Sequence, residues 1–280
     1  MDWLEPVDID SPEFADLYDE LPLWSAPFGL WLLERCPLAP GLTTLDIGAG
    51  TGFITLELAE RGGASCSVIA VDPWAAAIAR LRRKVAQRRL SNVHLLQQDA
   101  AQLALPERSV DVIVSNLGVN NFDDPAAVMR VCARVARPGA HFLLTSNLVG
   151  HMAEFYAVFD QVLAAAGLSE PRAALQRHVQ HRATLAGLQG LLADAGFETQ
   201  ERAEWSFTMR FADGAALLRH HFIRLGFLPG WKQIVPEGQR EAIFMALQQA
   251  LDAEALRQGG LCLTIPAAGI VARRTRNLDD

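Results

Sequence analysis

The sequence predicts an α/β fold: an open, doubly wound, seven-stranded sheet, mostly parallel, with helices on both faces. Three observations carry this. First, an apolar strand runs into Asp46. It is followed by the alternating glycines Gly48, Gly50 and Gly52 and then by the helical stretch Phe53-Ile54-Thr55-Leu56-Glu57-Leu58-Ala59. A strand, glycine turn and helix in this order hold the polar part of a nucleotide-like ligand, because glycine lets backbone approach closely and the helix start offers free N–H groups. Second, Asp72 closes the next apolar strand, Cys66 to Val71, 20 residues beyond Gly52, and Asp99 closes a third, Val93 to Gln98. Carboxylates at successive strand ends share the sheet edge where open α/β sheets bind ligands, and one at the end of the second strand is placed to accept both ribose hydroxyls. Third, strands alternate with helices, and the fourth strand, Val110 to Ser115, is apolar as a buried parallel strand requires.

Taken in order, residues 1 to 12 form a loose lead and Phe14 to Tyr18 a short helix. Leu21 to Gly29 is a proline-punctuated aromatic loop, and Leu30 to Cys36 is helical, stopping before Pro37. The first strand, turn and helix span about 43 to 61 and end at Gly62-Gly63. Pro73 suits the first turn of the next helix, Trp74 to Leu90. Its Arg80, Arg82, Arg83, Lys84, Arg88 and Arg89 form either a phosphate-binding face or a solvated face opposite Ala77, Ile78, Leu81 and Val85, and the acidic whole favours the second. Pro125 to Ala136 is a helix capped by Asp123 or Asp124. Arg137-Pro138-Gly139 turns into a fifth strand, Ala140 to Thr145. Beyond Asn147, His151 to Ala165 is helical with Met152, Phe155, Phe159 and Val162 on one stripe. Residues 168 to 182 read as a polar, mobile connection, and Leu185 to Ala195 as a helix ended by Gly196. Phe197 to Phe211 alternates as a strand, and Gly260 to Arg274 is the last strand, interrupted near Pro266. Helical stretches at 213–225 and 238–257 lie between these two. The organisation expected is a helical N-terminal lead over 1–42, an α/β domain over 43–210 with 259–275, and a helical insertion over 211–258 that caps the pocket or forms a dimer contact.

The motif Leu45-Asp46-Ile47-Gly48-Ala49-Gly50-Thr51-Gly52, joined to Val71-Asp72, Gln98-Asp99-Ala100 and Asp111-Val112-Ile113-Val114-Ser115-Asn116, resembles in order and spacing the class I S-adenosylmethionine-dependent methyltransferases that act on small molecules. The resemblance covers about Thr43 to Asn147; from Phe197 to Arg274 it is one of architecture only. It implies a Rossmann-like sheet whose last strand is antiparallel, S-adenosylmethionine as cofactor, and a cofactor site built from Asp46, Gly48, Ala49, Gly50, Gly52, Asp72, Pro73, Trp74, Asp99, Ala100, Asn116 and Leu117. In that site Asp99, with the backbone of Ala100, recognises the adenine amino group, and Trp74 packs on the adenine ring. The residues alone also allow a capping aspartate and a core tryptophan. In similar enzymes the loop corresponding to Ser115 to Phe122 lies beside the transferred methyl, so Asn116, Asn120 and Asn121 are expected to offer uncharged amides to the acceptor, or to serve as turn residues. The polar-Pro-Pro-aromatic motif of the branches that methylate amino groups of DNA and protein is missing; the loop has no proline before Pro125. In similar methyltransferases the N-terminal segment folds over the cofactor, which makes Tyr18 and Trp24 candidates to cover its methionine end or line the acceptor pocket, or to pack the lead onto the sheet. His221, among the aromatics of the insertion, is a candidate acceptor contact. His151, near the start of its helix, is either a candidate general base or, as is commoner for a histidine at a helix start, a bystander.

A sulfonium methyl is already activated, so such a protein positions methyl and nucleophile in line and excludes water; a base is needed only where the acceptor holds its proton. The cofactor is therefore legible, and the small-molecule O, N or C acceptor is not. A NAD(P)-dependent oxidoreductase shares the strand, the turn and the acid, but its G-x-G-x-x-G pattern requires glycine where this chain has Phe53, and it leaves Asp99 without a role. A non-catalytic S-adenosylmethionine-binding protein would hold the cofactor without turnover. No metal is expected: Asp123 and Asp124 share one cap, and no second oxygen-ligand cluster is evident. Lys and Arg number 25 against 32 Asp and Glu, a net charge of −7 with no basic segment, which argues against nucleic acid as partner. Half of the residues are hydrophobic, enough for a large core, yet no run reaches membrane-spanning length. Cys36, Cys66, Cys132 and Cys262 are scattered, and the acidic N-terminus lacks a signal-peptide pattern, so a reduced, cytoplasmic protein is expected.

Overall fold

The computed structural model describes residues 2–5, 8–20 and 23–275. Among them seven strands form one sheet: β1 (Thr43–Ile47), β2 (Ser67–Val71), β3 (Val93–Leu96), β4 (Val110–Asn116), β5 (Ala136–Asn147), β6 (Phe197–Phe211) and β7 (Leu261–Arg274). Their order is β3-β2-β1-β4-β5-β7-β6. The first five pair in parallel, with Leu45 between Ile69 and Ile113, and the last strand is antiparallel. The helices are α1 (Pro12–Asp19), α2 (Ala26–Arg35), α3 (Phe53–Gly62), α4 (Ala75–Gln87), α5 (Pro125–Val135), α6 (Ala153–Ala165), α7 (Ser169–Gln180), α8 (Leu185–Asp194), α9 (Gly214–Arg219), α10 (His221–Gly226), α11 (Leu228–Ile234) and α12 (Arg240–Gln258). None is long and apolar enough to cross a membrane.

The chain forms two compact units. The larger holds Asp10–Ser146, Ala183–Glu204 and the chain from Ala267. Its core packs Leu32 and Leu33 of α2 and Ile54 and Leu58 of α3 against Val68, Val112, Val114 and Leu143 of the sheet. Each fully buried aliphatic side chain of this kind contributes about 1.5–3 kcal/mol, which is why the apolar run Val112-Ile113-Val114 of β4 suits its central place. The smaller unit gathers the residues up to Ile9, Asn147–Arg182 and Trp205–Pro266, so the helices expected as a 211–258 insertion cluster with α6 and α7. Aromatic packing holds it. Phe155 stacks on Trp231 at 4.0 Å between ring centroids, and Phe244 meets both Trp3 and Phe159 at 5.9 Å.

Several local expectations change. Residues 168–182 are not a mobile connection: α7 occupies most of them, with Pro171 in its first turn, where proline is tolerated, and with Leu175 buried. Within the expected loose lead, Trp3 is fully buried. Helix α2 begins at Ala26, earlier than Leu30, because Pro27 also sits in a first turn and does not break the helix. Residues 137–139 are part of β5 and not a turn before it. Strand β7 runs unbroken through Pro266, whose carbonyl still accepts from Leu148 N at 2.9 Å although its nitrogen has nothing to donate. Helix α11, between the two expected helical stretches, had no sequence signal strong enough to separate it from its neighbours.

Candidate functional site

The sheet order reverses between β1 and β4, and a cavity of about 360 Å³ opens at the ends of β1, β2 and β4. Open α/β sheets bind ligands at such a reversal. The chain after β1 supplies Gly48 to Thr51, Phe53 and Ile54; that after β2 supplies Asp72, Pro73 and Trp74; the end of β4 and its loop supply Asn116, Leu117, Gly118, Asn121 and Phe122, joined by Asp46, Tyr18 and Ser25.

The glycine turn is pinned to the end of β2. Gly48 N and Ala49 N donate to Val71 O at 2.9 and 3.1 Å, and Gly50 N donates to Asp72 Oδ2 at 2.8 Å. Gly50 has φ +53°, and no protein atom lies within 4 Å of where its Cβ would stand, so bare backbone borders the cavity there. Asp72 Oδ1 accepts from Trp74 N at 2.9 Å, so the same carboxylate ties the turn to the entry of α4. Burial pushes the Asp72 pKa up, opposed by these two N–H donors. A carboxylate has about four acceptor positions, so each oxygen keeps one for a ligand hydroxyl.

Asp46 is 1% exposed and accepts from Thr55 Oγ1 at 2.6 Å. Burial, with the Asp72 charge adding to it, pushes its carboxyl up to about 7, against the opposing bonds from Thr55. The Trp74 ring is met edge-on by Tyr18 at 5.5 Å and by Phe14 at 5.6 Å. Burial, then the Asp72 charge, raises the Tyr18 hydroxyl, which is therefore a neutral phenol.

On the basic face of α4, Arg82, Arg83, Arg88 and Arg89 are exposed as expected, but Arg80 and Lys84 are half-buried against α1. Asp19 of α1 pairs with Arg80 at 2.9 Å and with Lys84, and Asp16 pairs with Arg83. Lys84 Nζ also donates to Thr51 O at 2.8 Å, which ties α1 to the glycine turn through one ammonium. Burial raises the Asp19 pKa, but bonds from Lys84, Thr51 and Arg80 outweigh it and hold the carboxyl below the usual range.

At the end of β4, Asn116 Oδ1 accepts from Thr145 Oγ1 at 2.8 Å and its amide donates to Ser25 O at 3.4 Å. Leu117 carries φ +66°, a left-handed backbone that costs a branched side chain of order 1–3 kcal/mol and clusters at functional sites. Its N–H donates to Thr145 O at 3.0 Å, which helps to hold that conformation.

The structure thus brings together Tyr18, Asp46, Gly48, Ala49, Gly50, Asp72, Pro73, Trp74, Asn116, Leu117 and Asn121. The others stand elsewhere. Gly52 packs against Leu81. Asp99 is exposed and its Oδ1 caps Ala101 N at 2.9 Å, while Ala100 is buried beneath; neither lines the cavity. Trp24 is half-buried at 5.9 Å from the Phe28 ring. Asn120 braces its loop, donating to Ser146 Oγ at 2.7 Å and accepting from Ala183 N at 3.0 Å. His151 and His221 belong to the smaller unit. His221 is exposed at the first residue of α10. His151 is fully buried, and burial, then the charges of Arg182 and His178, lowers its pKa to about 3. With so low a basicity it suits hydrogen bonding better than proton removal. Ser25, Thr51, Phe53, Ile54, Gly118 and Phe122 were not anticipated as lining residues, although most are immediate neighbours of those that were. Among the described residues no group of three His, Cys, Asp or Glu side chains is placed to hold a metal ion.

A family model described as a methyltransferase domain matches residues 45–144. Nocamycin O-methyltransferase of Saccharothrix syringae is 27% identical over 269 residues, covering 92% of this chain and 95% of that protein. The ubiquinone/menaquinone biosynthesis C-methyltransferase UbiE of Idiomarina loihiensis is 33% identical over 105 residues, covering 37% and 42% of the two chains. Among solved structures, the YcgJ protein of Bacillus subtilis superposes with a TM-score of 0.60 at 17% identity, covering 90% of this chain and all of that one. The [4+2]-cyclase SpnF superposes at 0.55 and 18% identity, covering 90% and 81%. Likeness at that level speaks for the fold alone, and a cyclase on the same fold shows that the fold does not prescribe the reaction. The domain matched over residues 45–144, the methyltransferase relatives and the sheet order with its glycine turn agree in supporting a class I S-adenosylmethionine-dependent methyltransferase.

Proposed function

We propose that the protein transfers the methyl group of S-adenosylmethionine to an O, N or C nucleophile of a small molecule by in-line displacement. The observation that carries this reading is the Asp72 carboxylate. It holds the glycine turn and the start of α4 by two backbone N–H bonds and still borders the cavity at the sheet reversal. The residues present fit the cofactor: bare Gly50 backbone for its polar chain, Asp72 for the ribose hydroxyls, and Trp74 for the adenine ring. Bound there, S-adenosylmethionine would supply an activated methyl, with the sulfonium sulfur as leaving group. The chain's own part is to orient and to exclude water, with Tyr18, Asn116, Leu117 and Asn121 as the acceptor-side contacts.

Asp46 makes the binding pH-dependent. A carboxyl with a pKa of about 7 is protonated in the free protein below neutrality, and a cationic ligand favours the charged form. Affinity for S-adenosylmethionine therefore rises as pH rises towards 7 and levels off above it, by up to about tenfold per pH unit below 7. Titrations by calorimetry between acid and mildly alkaline pH should show this slope, and Asp46→Asn should flatten it. A slope unchanged in Asp46→Asn would assign it to another group.

The proposal is tested by turnover. Purified protein with S-adenosylmethionine is offered phenols, carboxylic acids, amines and carbon nucleophiles, and S-adenosylhomocysteine is measured alongside the mass of the acceptor. Methylated product on one class names the acceptor atom. Tight cofactor binding with no product on any class would favour the non-catalytic binding protein instead.

A further inference from the structure

We propose that Lys84 is a positioning residue for the cofactor: its one ammonium fixes both the glycine turn and α1 around the cavity, and so sets how long the cofactor stays bound. The inference rests on the cofactor reading of that cavity and extends it to a residue that does not line it.

Lys84 lies in the last turn of α4. Its Nζ donates to Thr51 O at 2.8 Å and pairs with Asp19, the last residue of α1. An ammonium carries three donors, so one group can serve both partners. Thr51 lines the cavity, and so does Tyr18, the neighbour of Asp19 in the chain. Two walls from distant parts of the sequence therefore depend on one cation.

Each wall needs an outside anchor. Thr51 stands between Gly50 and Gly52, with φ +53° and +93°, and glycine backbone has the most conformational freedom to lose. Asp72 holds this turn from one side by accepting from Gly50 N, and Lys84 holds it from the other by donating to Thr51 O. Helix α1 has eight residues, too few for a helix to persist in water unless it is docked. Its Tyr18 meets Trp74 edge-on at 5.5 Å, so the place of α1 also sets the ring beside the presumed adenine site of Trp74.

Exposed ion pairs contribute little to stability, and burial separates Lys84 from that class. The side chains of Lys84 and Asp19 are 14% and 11% exposed, and Asp19 also accepts from Arg80 Nε at 2.9 Å. Arg83 supplies the contrast. It pairs with Asp16 of the same helix where both side chains are exposed, and among the described residues it has no bond to the turn. Removing the Lys84 ammonium frees the Thr51 carbonyl and the end of α1 together. Contacts that form after the first encounter act mainly on dissociation, so the cofactor should leave faster while its association changes little.

The test uses the full chain and radiolabelled S-adenosylhomocysteine, whose release is timed by chase with unlabelled ligand. Wild type, Lys84→Met, Lys84→Arg, Asp19→Asn and Arg83→Met are compared, with thermal unfolding of each free of ligand. Lys84→Met keeps the apolar stem and loses the donors; it should speed release about tenfold or more. Lys84→Arg keeps the charge and has donors enough for both partners, so it should restore release to within about threefold of wild type. Asp19→Asn should fall between wild type and Lys84→Met, and Arg83→Met should release as wild type does. Unchanged release in Lys84→Met would overturn the proposal, whatever its unfolding midpoint, because Lys84 would then serve the fold alone. A Lys84→Met chain that does not fold would overturn it on the same ground. So would release from Lys84→Arg as fast as from Lys84→Met, or from Asp19→Asn no faster than wild type, or an equal acceleration in Arg83→Met, which would assign the effect to docking of α1 in general. A wild type that binds no S-adenosylhomocysteine would instead strike the cofactor reading itself.

Discussion

Asp72→Ala is expected to weaken S-adenosylmethionine binding by roughly two orders of magnitude, about 3 kcal/mol, from loss of two charge-assisted hydrogen bonds to the ribose. The substitution does more than remove a ligand contact. Gly50 N and Trp74 N both donate to this carboxylate, so two backbone donors lose their acceptor and the turn loses its tie to α4. Asp72→Asn refines the test. An amide can accept only through its oxygen, so it serves one of the two N–H donors and presents a donor to the other. Its affinity should fall between wild type and Asp72→Ala, by about tenfold. Calorimetry measures both, with circular dichroism as a control for folding. Near-wild-type affinity in Asp72→Ala would remove Asp72 from the ribose site.

Gly52→Ala should be among the most destabilising single substitutions in the molecule, and its partner Gly50→Ala should not. At Gly52 the backbone has φ +93°, and a Cβ would stand 2.1 Å from Leu81 Cδ1. Leu81 is fully buried with Ala49, Leu56 and Ala70, so it has little room to retreat. The left-handed conformation costs a residue with a Cβ about 1–2 kcal/mol, and overpacking adds about 1–3 kcal/mol. The sum is a large share of a typical stability of about 5–15 kcal/mol. At Gly50 a Cβ meets no protein atom, so the folding penalty is only that of the backbone, about 1 kcal/mol; the new methyl instead obstructs the cavity. Denaturant unfolding and cofactor titration of the two variants should therefore give opposite profiles. Gly52→Ala loses stability first, and Gly50→Ala loses affinity first. Equal loss of stability in both would contradict the division of labour between these two glycines.

The glycine-turn side of the cavity was legible because its sequence signal is local. Strand β1, the glycines and the first turn of α3 are contiguous, and Asp72 follows at the end of the next strand, so residue type and order suffice. Leu117 shows where that stops. Nothing about a leucine announces a positive φ, which arises because β5 offers Thr145 O to its N–H. The charged face of α4 reads as solvated because a single helix does not reveal that Asp16 and Asp19 of α1 will meet it. Pro266 reads as a break, yet its strand continues through it, since the residue loses one donor there but keeps its carbonyl as an acceptor. Asp99 had two open roles, adenine contact and cap, and its bond to Ala101 N supplies the cap.

The most direct test of the central claim is thermal unfolding with S-adenosylmethionine, S-adenosylhomocysteine, NAD and NADP, each in excess. A ligand at about 100 times its Kd adds roughly 2.7 kcal/mol to stability, a shift that is readily seen. The cavity at the β1–β4 reversal predicts stabilisation by the first two alone, and loss of that stabilisation in Asp72→Ala. Stabilisation by NAD or NADP without the first two would mean that the glycine turn takes a dinucleotide, and the methyl-transfer account would fall.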